Sequence, residues 1–109
     1  MKKQLPGFQE CLRLMRMRDP QMQEDGFHLL RAQAHKYTQQ LVNEVTRETN
    51  PGLRCWFLEL LAEARDPGAL PLFLEYLYSD ETLLKTWAIS GLKQINTKAS
   101  RRALWEAGF

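Results

Sequence analysis

The sequence matches itself when it is shifted by 31 residues. Leu30 falls on Leu61 and then on Leu92, and Phe27 falls on Leu58. A fixed period of this length is typical of stacked repeats, in which one unit cannot bury its apolar face alone and each neighbour supplies the missing surface. The period therefore predicts an elongated stack with one shared interior. Such a stack favours binding over catalysis, because it presents a long surface rather than a closed pocket.

Within each period the apolar residues follow helical spacing. Leu53, Phe57, Leu60 and Leu61 fall at intervals that place them on one side of a helix, and strand alternation is absent. Gly91 stands where Leu60 stands one period earlier, and we expect it to allow a close helix crossing. Asx-Pro pairs mark helix starts. The Asx side chain accepts a hydrogen bond from a backbone amide that has no partner in the helix, and proline at the first helical position has no amide hydrogen to satisfy. We predict seven helices, over residues 8–18, 20–34, 36–49, 51–65, 67–78, 81–95 and 98–107.

Length and composition predict one all-α domain over residues 1–109. This length suits a single core, and no stretch approaches the roughly 18 apolar residues of a membrane span. The first helix is predicted to be a cap over 1–18, followed by hairpins at about 19–49, 50–79 and 80–109. A secretory signal is not recognisable, so we expect a cytoplasmic protein. Cys11 and Cys55 lie in helical apolar patterns and are predicted to be buried, reduced thiols rather than a disulfide.

The net charge of +2 is unevenly distributed. Residues 1–18 carry five basic groups against one acidic group, residues 19–79 carry five against nine, and residues 80–109 carry five against three. The acidic middle would oppose a phosphate backbone and slightly favours a basic protein partner. A mixed, solvated surface without a specific partner is the alternative interpretation.

Groups that could carry chemistry do not form a recognisable site. His28 and His35 lie seven residues apart, but neither cysteine is at a ligand spacing from them. Glu59 and Glu63 lie one turn apart on the polar side of a helix, where solvated carboxylates are the default. The sequence also lacks a nucleophile motif and a glycine-rich phosphate loop. We therefore expect no enzyme activity, no bound metal and no cofactor.

A motif recurs in the second half of the chain. It runs from Asn50-Pro51-Gly52-Leu53-Arg54 through Leu60-Leu61 to Asp66-Pro67, and again from Ser79-Asp80 through Leu84 to Gly91-Leu92. On these residues, segment 50–105 resembles a bacterial HEAT-like repeat array of the kind also found in phycobilisome-lyase-like repeats. The resemblance implies a short right-handed α-solenoid of about three antiparallel helical hairpins. Trp56-Phe57 and Trp87-Ala88 depart from the small Ala-Ala pair of the lyase-like pattern, which argues against a bilin-binding role.

The resemblance also implies a class of function. Short bacterial HEAT-like proteins are similar to adaptors and to immunity proteins, which neutralise a toxin by covering it. We therefore expect a non-enzymatic module that binds one protein partner, such as a toxin, through the second helices of its hairpins. The alternative is a nucleic-acid-binding repeat protein that uses the basic residues of the last repeat, which are Lys93, Lys98, Arg101 and Arg102.

Outward side chains of the second helices are the candidate contacts. Tyr76, Tyr78 and Trp105 are the leading anchors because Tyr and Trp dominate interface energies when they are desolvated, although each can instead fill a groove between helices. Leu74 is expected in the core, and Trp56 is expected to pack between repeats together with its equivalent, Trp87. The predicted partner-binding residues are Glu44, Arg47, Glu75, Tyr76, Tyr78, Arg101, Arg102 and Trp105.

Overall fold

The computed structural model of the protein describes residues 5–109, and this part of the chain is all-helical. Two 3₁₀ turns, Ala34–Lys36 and Pro67–Ala69, precede the third and fifth helices. All seven predicted helices are present, with ends that differ by a few residues. Residues 1–4 of the predicted cap lie outside the described part. The helices are α1 (Phe8–Met15), α2 (Pro20–Arg31), α3 (Thr38–Arg47), α4 (Pro51–Ala64), α5 (Leu70–Leu77), α6 (Thr82–Ile95) and α7 (Lys98–Glu106).

Three of these helices begin 31 residues apart, because α2, α4 and α6 start at the same point of the sequence period. The Asp19 side chain accepts a hydrogen bond from the Gln21 amide at 2.9 Å, and Asn50 accepts one from the Gly52 amide at 2.9 Å. These are the predicted caps of α2 and α4. They stabilise the helix starts because the first amides of a helix have no partner within it.

The ends of α4 and α6 are also alike. Arg65 and Asn96 follow the last helical residues and have positive φ angles of 54° and 52°. A residue in this left-handed conformation terminates a helix, and the position is usually taken by glycine or asparagine. The backbone therefore turns at once into the 3₁₀ turn before α5 and into the start of α7.

The helices form a thin molecule with Cα extents of 46 × 32 × 19 Å. The shortest extent matches two layers of helices at the usual separation of about 8–10 Å between axes. The most extensive contacts join α1 with α2, α5 with α6, α4 with α6, and α3 with α4. Contacts within the expected hairpins α2–α3 and α4–α5 are smaller. Each of α3 and α5 therefore packs chiefly on the helix that follows it.

One hydrophobic core runs through the described residues. Leu30, Leu61 and Leu92 are fully buried at equivalent places in α2, α4 and α6. A Cβ atom at Gly91 would lie only 2.4 Å from Cζ of Phe73, so the ring of α5 rests directly on the backbone of α6. The expected close crossing at Gly91 is confirmed.

Two further sequence expectations can be compared with the described residues. Cys11 and Cys55 are both free thiols, and Cys11 is buried as expected, whereas Cys55 is half-buried. Among residues 5–109, no helix has both the length and the apolar character that crossing a bilayer requires.

Candidate protein-binding surface

Large apolar side chains are exposed on α5 and α7. Trp105 is 79% exposed and Tyr78, which follows the last residue of α5, is 70% exposed. Phe109 is 52% exposed and Leu74 is 36% exposed. Leu74 and Tyr78 lie one helical turn apart, and a shift of 31 residues carries them onto Trp105 and Phe109. We call these four residues the α5–α7 surface.

Both halves of the α5–α7 surface lie near the residues at which α6 begins. Tyr78 is four residues before the start of α6. From the other side, the ring of Phe109 lies 5.8 Å from Nζ of Lys85, in the first turn of α6, measured to the ring centroid. Leu83, in the same turn, is also exposed. The C-terminal ends of α5 and α7 therefore both lie toward the start of α6.

Charged groups of both signs lie near these side chains. Glu75 and Asp80 are exposed, and neither takes part in a hydrogen bond or an ion pair with another residue in 5–109. Glu81 is only 3.9 Å from a guanidinium nitrogen of Arg54, a weak ion pair. Glu75 was a predicted contact, and the structure leaves its carboxylate open to solvent.

Two of the predicted basic contacts are engaged within the protein. Nη1 of Arg101 donates hydrogen bonds to the backbone oxygen of Asn96 at 2.8 Å and to its side-chain oxygen at 3.1 Å. Arg101 thereby satisfies a carbonyl at the C-terminal end of α6, one turn before Trp105 in α7. Nε of Arg102 pairs with Glu106 at 2.9 Å on the exposed face of α7. Arg101 keeps its positive charge, because both of its acceptors are uncharged.

Tyr76 is not part of the exposed surface, contrary to the prediction. It is 8% exposed, its ring lies 5.7 Å from Cζ of Arg54, and its hydroxyl accepts a hydrogen bond from Nη2 of Arg54 at 3.3 Å. The prediction that Leu74 lies in the core is also wrong. The reason is that α5 packs mainly on α6, which buries the face that carries Phe73 and Leu77 and turns Leu74 outward.

Glu44 is likewise buried rather than exposed, with 7% of its surface accessible. It pairs with Arg47 and lies 3.4 Å from Nη2 of Arg16, which also contacts Glu48 at 2.8 Å. Burial opposes ionisation of Glu48, but the Asn50 amide and the Arg16 guanidinium outweigh it and hold the pKa of this carboxyl below its ordinary value. The predicted contacts Glu44 and Arg47 are therefore members of an ion-pair network.

This network lines an open cleft of about 530 Å³ between α1 and the end of α3. Leu12 and Gln9 complete the wall, and Arg13 is paired with Glu10 at 2.6 Å. Every arginine in the cleft thus has a carboxylate partner. The arrangement fastens α3 to α1 and leaves no free positive charge for an anionic ligand there.

The two equivalent tryptophans pack inside the molecule. The ring centroid of Trp56 lies 5.1 Å from that of Phe27, which joins α4 to α2. Trp87 is partly buried against the core. Asp25 occupies the equivalent position in α2 and is exposed. Trp56 therefore has the expected packing role, on a helix that begins one period earlier, whereas packing between repeats stays a prediction.

Metal-ligating side chains do not converge in the described part of the chain. Within 5–109, no three or more His, Cys, Asp or Glu residues are arranged to hold a metal ion. His28 and His35 are both exposed.

No protein-family model matches this sequence, and comparison with curated proteins and with solved structures also found no match. The functional assignment therefore depends on the α5–α7 surface.

Proposed function

We propose that this protein is a non-enzymatic binding module that holds one protein partner through the α5–α7 surface. The observation that carries the proposal is the exposure of Trp105 and Tyr78 beside Phe109 and Leu74. An exposed tryptophan adds little to its own core, whereas in an interface it can bury on the order of 200 Å². Contiguous exposed apolar side chains are typical of interaction sites, and Trp and Tyr are the common energetic anchors of such sites.

We further propose that the helices stack as a HEAT-like solenoid. Support comes from the 31-residue spacing of α2, α4 and α6, from the equivalent burial of their central leucines, and from the thickness of two helical layers. In such a stack α5 and α7 would occupy equivalent places in successive units. The α5–α7 surface would then continue across two units, which suits a partner that lies along the stack.

A small protein with this surface can act by covering its partner. An adaptor or a toxin-neutralising immunity protein of bacteria would need only a stable scaffold and a complementary face, with no chemistry of its own. The arginines of the α1–α3 cleft form ion pairs within the protein, and His28 and His35 are exposed to solvent. Both environments are consistent with this role.

The test is capture of the partner from a lysate of the source cells with the purified protein as bait. We expect wild type to retain a protein that Trp105→Ala and Tyr78→Ala variants lose. Met22→Ala is the matched control, because it removes an exposed apolar side chain from α2, outside the α5–α7 surface. Circular dichroism should show that all variants keep the helical fold. If both aromatic variants capture the same partner as wild type, the surface is not the binding site.

A further inference from the structure

We propose that α1 and α2 form one cooperative unit that opens away from α3–α7 while those helices stay folded, and that Arg16 is the latch that holds this unit closed. The two helices and their connection, residues 8–31, are called the α1–α2 hairpin. The inference does not involve the α5–α7 surface and does not depend on the proposed function. It follows from close packing within the hairpin and from open clefts along its boundary.

The α1–α2 hairpin is closely packed within itself. A Cβ atom at Gly26 would lie 2.7 Å from the carbonyl oxygen of Cys11, so α2 rests directly on the backbone of α1. In the described part of the chain, no other pair of helices has more extensive contact. Gln33, which follows α2, donates a hydrogen bond from Nε2 to the Pro6 oxygen at 2.6 Å. This bond ties the chain before α1 to the end of α2, so the two helices are expected to open together.

The boundary between the α1–α2 hairpin and α3–α4, here called the seam, is loosely packed. The largest contact between helices across the seam is the small one between α2 and α4. The cleft of about 530 Å³ between α1 and the end of α3 lies on the seam, and a second cleft of about 350 Å³ lies at the start of α4. The walls of the second cleft include Met15, Arg16 and Gln23 from the hairpin side, and Leu53 and Trp56 from α4. Protein interiors are normally close-packed, so these clefts mark a boundary with few contacts to break.

Two aromatic pairs cross the seam. Trp56 of α4 packs on Phe27 of α2, with 5.1 Å between the ring centroids. Phe8 of α1 packs on Tyr37, which precedes α3, with 5.3 Å between the centroids. These pairs provide apolar contact at two separate places, and opening of the α1–α2 hairpin would separate both of them.

Two sets of ion pairs also cross the seam, and Arg16 forms the more buried set. Nη2 of Arg31 lies 2.8 Å from Glu63, and about half of the Arg31 side chain is exposed. Nη2 of Arg16 contacts Glu48 at 2.8 Å and Glu44 at 3.4 Å, and these carboxylate side chains are only 7% and 10% exposed. An exposed ion pair contributes little, whereas removal of one partner of a buried pair leaves an uncompensated buried charge. The loss of Arg16 should therefore favour opening more than the loss of Arg31.

Arg16 reaches two elements on the far side of the seam. Besides its contacts at the end of α3, its Cζ atom lies 6.0 Å from the ring centroid of Phe57 in α4. Glu48 also accepts a hydrogen bond at 3.0 Å from the amide of Asn50, the residue that caps α4. Without Arg16, Glu48 would keep only hydrogen bonds from backbone amides. One side chain at the end of α1 thus fastens the hairpin to both α3 and α4.

Native-state hydrogen exchange measures the opening. Helices of 8 and 12 residues, as α1 and α2 are, are marginal in isolation, so a hairpin separated from α3–α4 exposes its amides to exchange. In wild type with low concentrations of urea, we expect the amides of α1 and α2 to exchange through one shared opening. The urea dependence of this opening should be smaller than that of α4, because release of the hairpin exposes less surface than global unfolding.

Arg16→Gln removes the latch, and Arg13→Gln is the matched control. Arg13 pairs with Glu10 inside α1 at 2.6 Å rather than across the seam. We expect Arg16→Gln to accelerate exchange by about tenfold or more in both α1 and α2, and by less than about threefold in α5 and α6. Arg13→Gln should change exchange by less than about threefold in all four helices. Circular dichroism should show that both variants keep the helical fold.

Several results would overturn the inference. Acceleration confined to α1 would show that this helix detaches alone, and equal acceleration in all helices would show a loss of global stability rather than release of the hairpin. The same effect of Arg16→Gln and Arg13→Gln would exclude Arg16 as the latch. If Arg16→Gln does not fold, the wild-type urea series decides, because equal urea dependence in α1, α2 and α4 would mean that the hairpin does not open separately.

Discussion

Gly91 illustrates how the absence of one side chain sets the distance between two helices. The Phe73 ring occupies the space that a Cβ atom would need, at 2.4–2.7 Å from its ideal position. In an exposed helix, alanine would be favoured over glycine by about 1 kcal/mol. At this crossing the steric conflict is larger than that preference, because a packed aromatic ring cannot move without disturbing its neighbours.

We therefore predict that Gly91→Ala lowers the free energy of unfolding by about 1–3 kcal/mol, the usual cost of overpacking. Urea denaturation followed by circular dichroism would measure it. Gly52→Ala is the matched control in the first turn of α4, where the nearest atom to a new Cβ is Asn50 Oδ1 at 3.4 Å. That variant should be neutral or slightly stabilising. Equal effects of the two substitutions would show that the α5–α6 crossing does not depend on the missing side chain.

Trp56 is predicted to contribute to the stability of the fold, and Trp105 to binding of the partner. Trp56 packs on Phe27 within the molecule, whereas Trp105 is exposed. We expect Trp56→Ala to lower the free energy of unfolding by about 2–4 kcal/mol, and Trp105→Ala to change it by less than about 0.5 kcal/mol. Thermal and urea denaturation of the two variants would compare them. A large loss of stability in Trp105→Ala would contradict its assignment to a binding surface.

At the scale of elements, one hydrogen bond connects the start of α3 with the 3₁₀ turn before α5. The buried Thr38 hydroxyl donates to Asp66 Oδ2 at 2.6 Å, and the Gly68 amide donates to Oδ1 at 2.9 Å. Both bonds favour the charged carboxylate and lower the pKa of Asp66 below its ordinary value of 3.8. A carboxyl with a lowered folded pKa stabilises the fold above its unfolded pKa, and this contribution disappears as the pH falls through the folded value.

Thr38→Val should therefore destabilise the protein in a pH-dependent way. We expect the free energy of unfolding at pH 7 to fall by about 0.5–1 kcal/mol. The smaller value is favoured because Asp66 is partly exposed. The difference from wild type should narrow below pH 3.8, as Asp66 becomes protonated. Thr46→Val is the control in the same helix, because its hydroxyl bonds only the local Asn43 carbonyl. Urea denaturation at pH 7 and at about pH 3 would measure the free energy of unfolding of the two variants and of wild type. A pH-independent loss would exclude a role for the charge of Asp66.

The starts of the helices could be predicted from the sequence more accurately than their packing. Asp19 and Asn50 cap α2 and α4 through local hydrogen bonds, which neighbouring residues alone determine. The left-handed conformation of Arg65 has no such local signal, since arginine rarely adopts it. The exposed face of α5 was also predicted incorrectly at Leu74 and Tyr76. Both positions fit a helical apolar pattern, and only packing against α6 and α4 decides which is buried.

At the scale of the whole molecule, the candidate surface was partly predictable. Tyr78 and Trp105 were predicted contacts, and both are exposed. Phe109 and Leu74 were missed, although the 31-residue shift that aligns the core also aligns Tyr78 with Phe109 and Leu74 with Trp105. Glu44 could not be assigned from its sequence neighbours, because its burial depends on Arg16, which lies 28 positions earlier in the chain.

The distribution of contacts among the helices also predicts how stability varies along the chain. α4 contacts α2, α3 and α6, and residues Phe57, Leu58, Leu60, Leu61 and Ala62 are fully buried. By comparison, α7 has limited contact with α6. In the proposed stack, units at the end have neighbours on one side only and open more readily than central ones. Amides in the middle of α4 should therefore exchange with solvent most slowly, and those of α7 considerably faster.

Hydrogen exchange measured by mass spectrometry would test this distribution with two variants. Leu61→Ala removes a fully buried side chain from α4, and Leu104→Ala removes a buried one from α7. Each substitution should lower the free energy of unfolding of the region around its side chain by about 2–5 kcal/mol. Because α4 touches most of the molecule, Leu61→Ala should accelerate exchange in all helices, whereas Leu104→Ala should accelerate it mainly in α7. Uniform acceleration by both would mean that the chain opens as a single unit, contrary to a stack with independent ends.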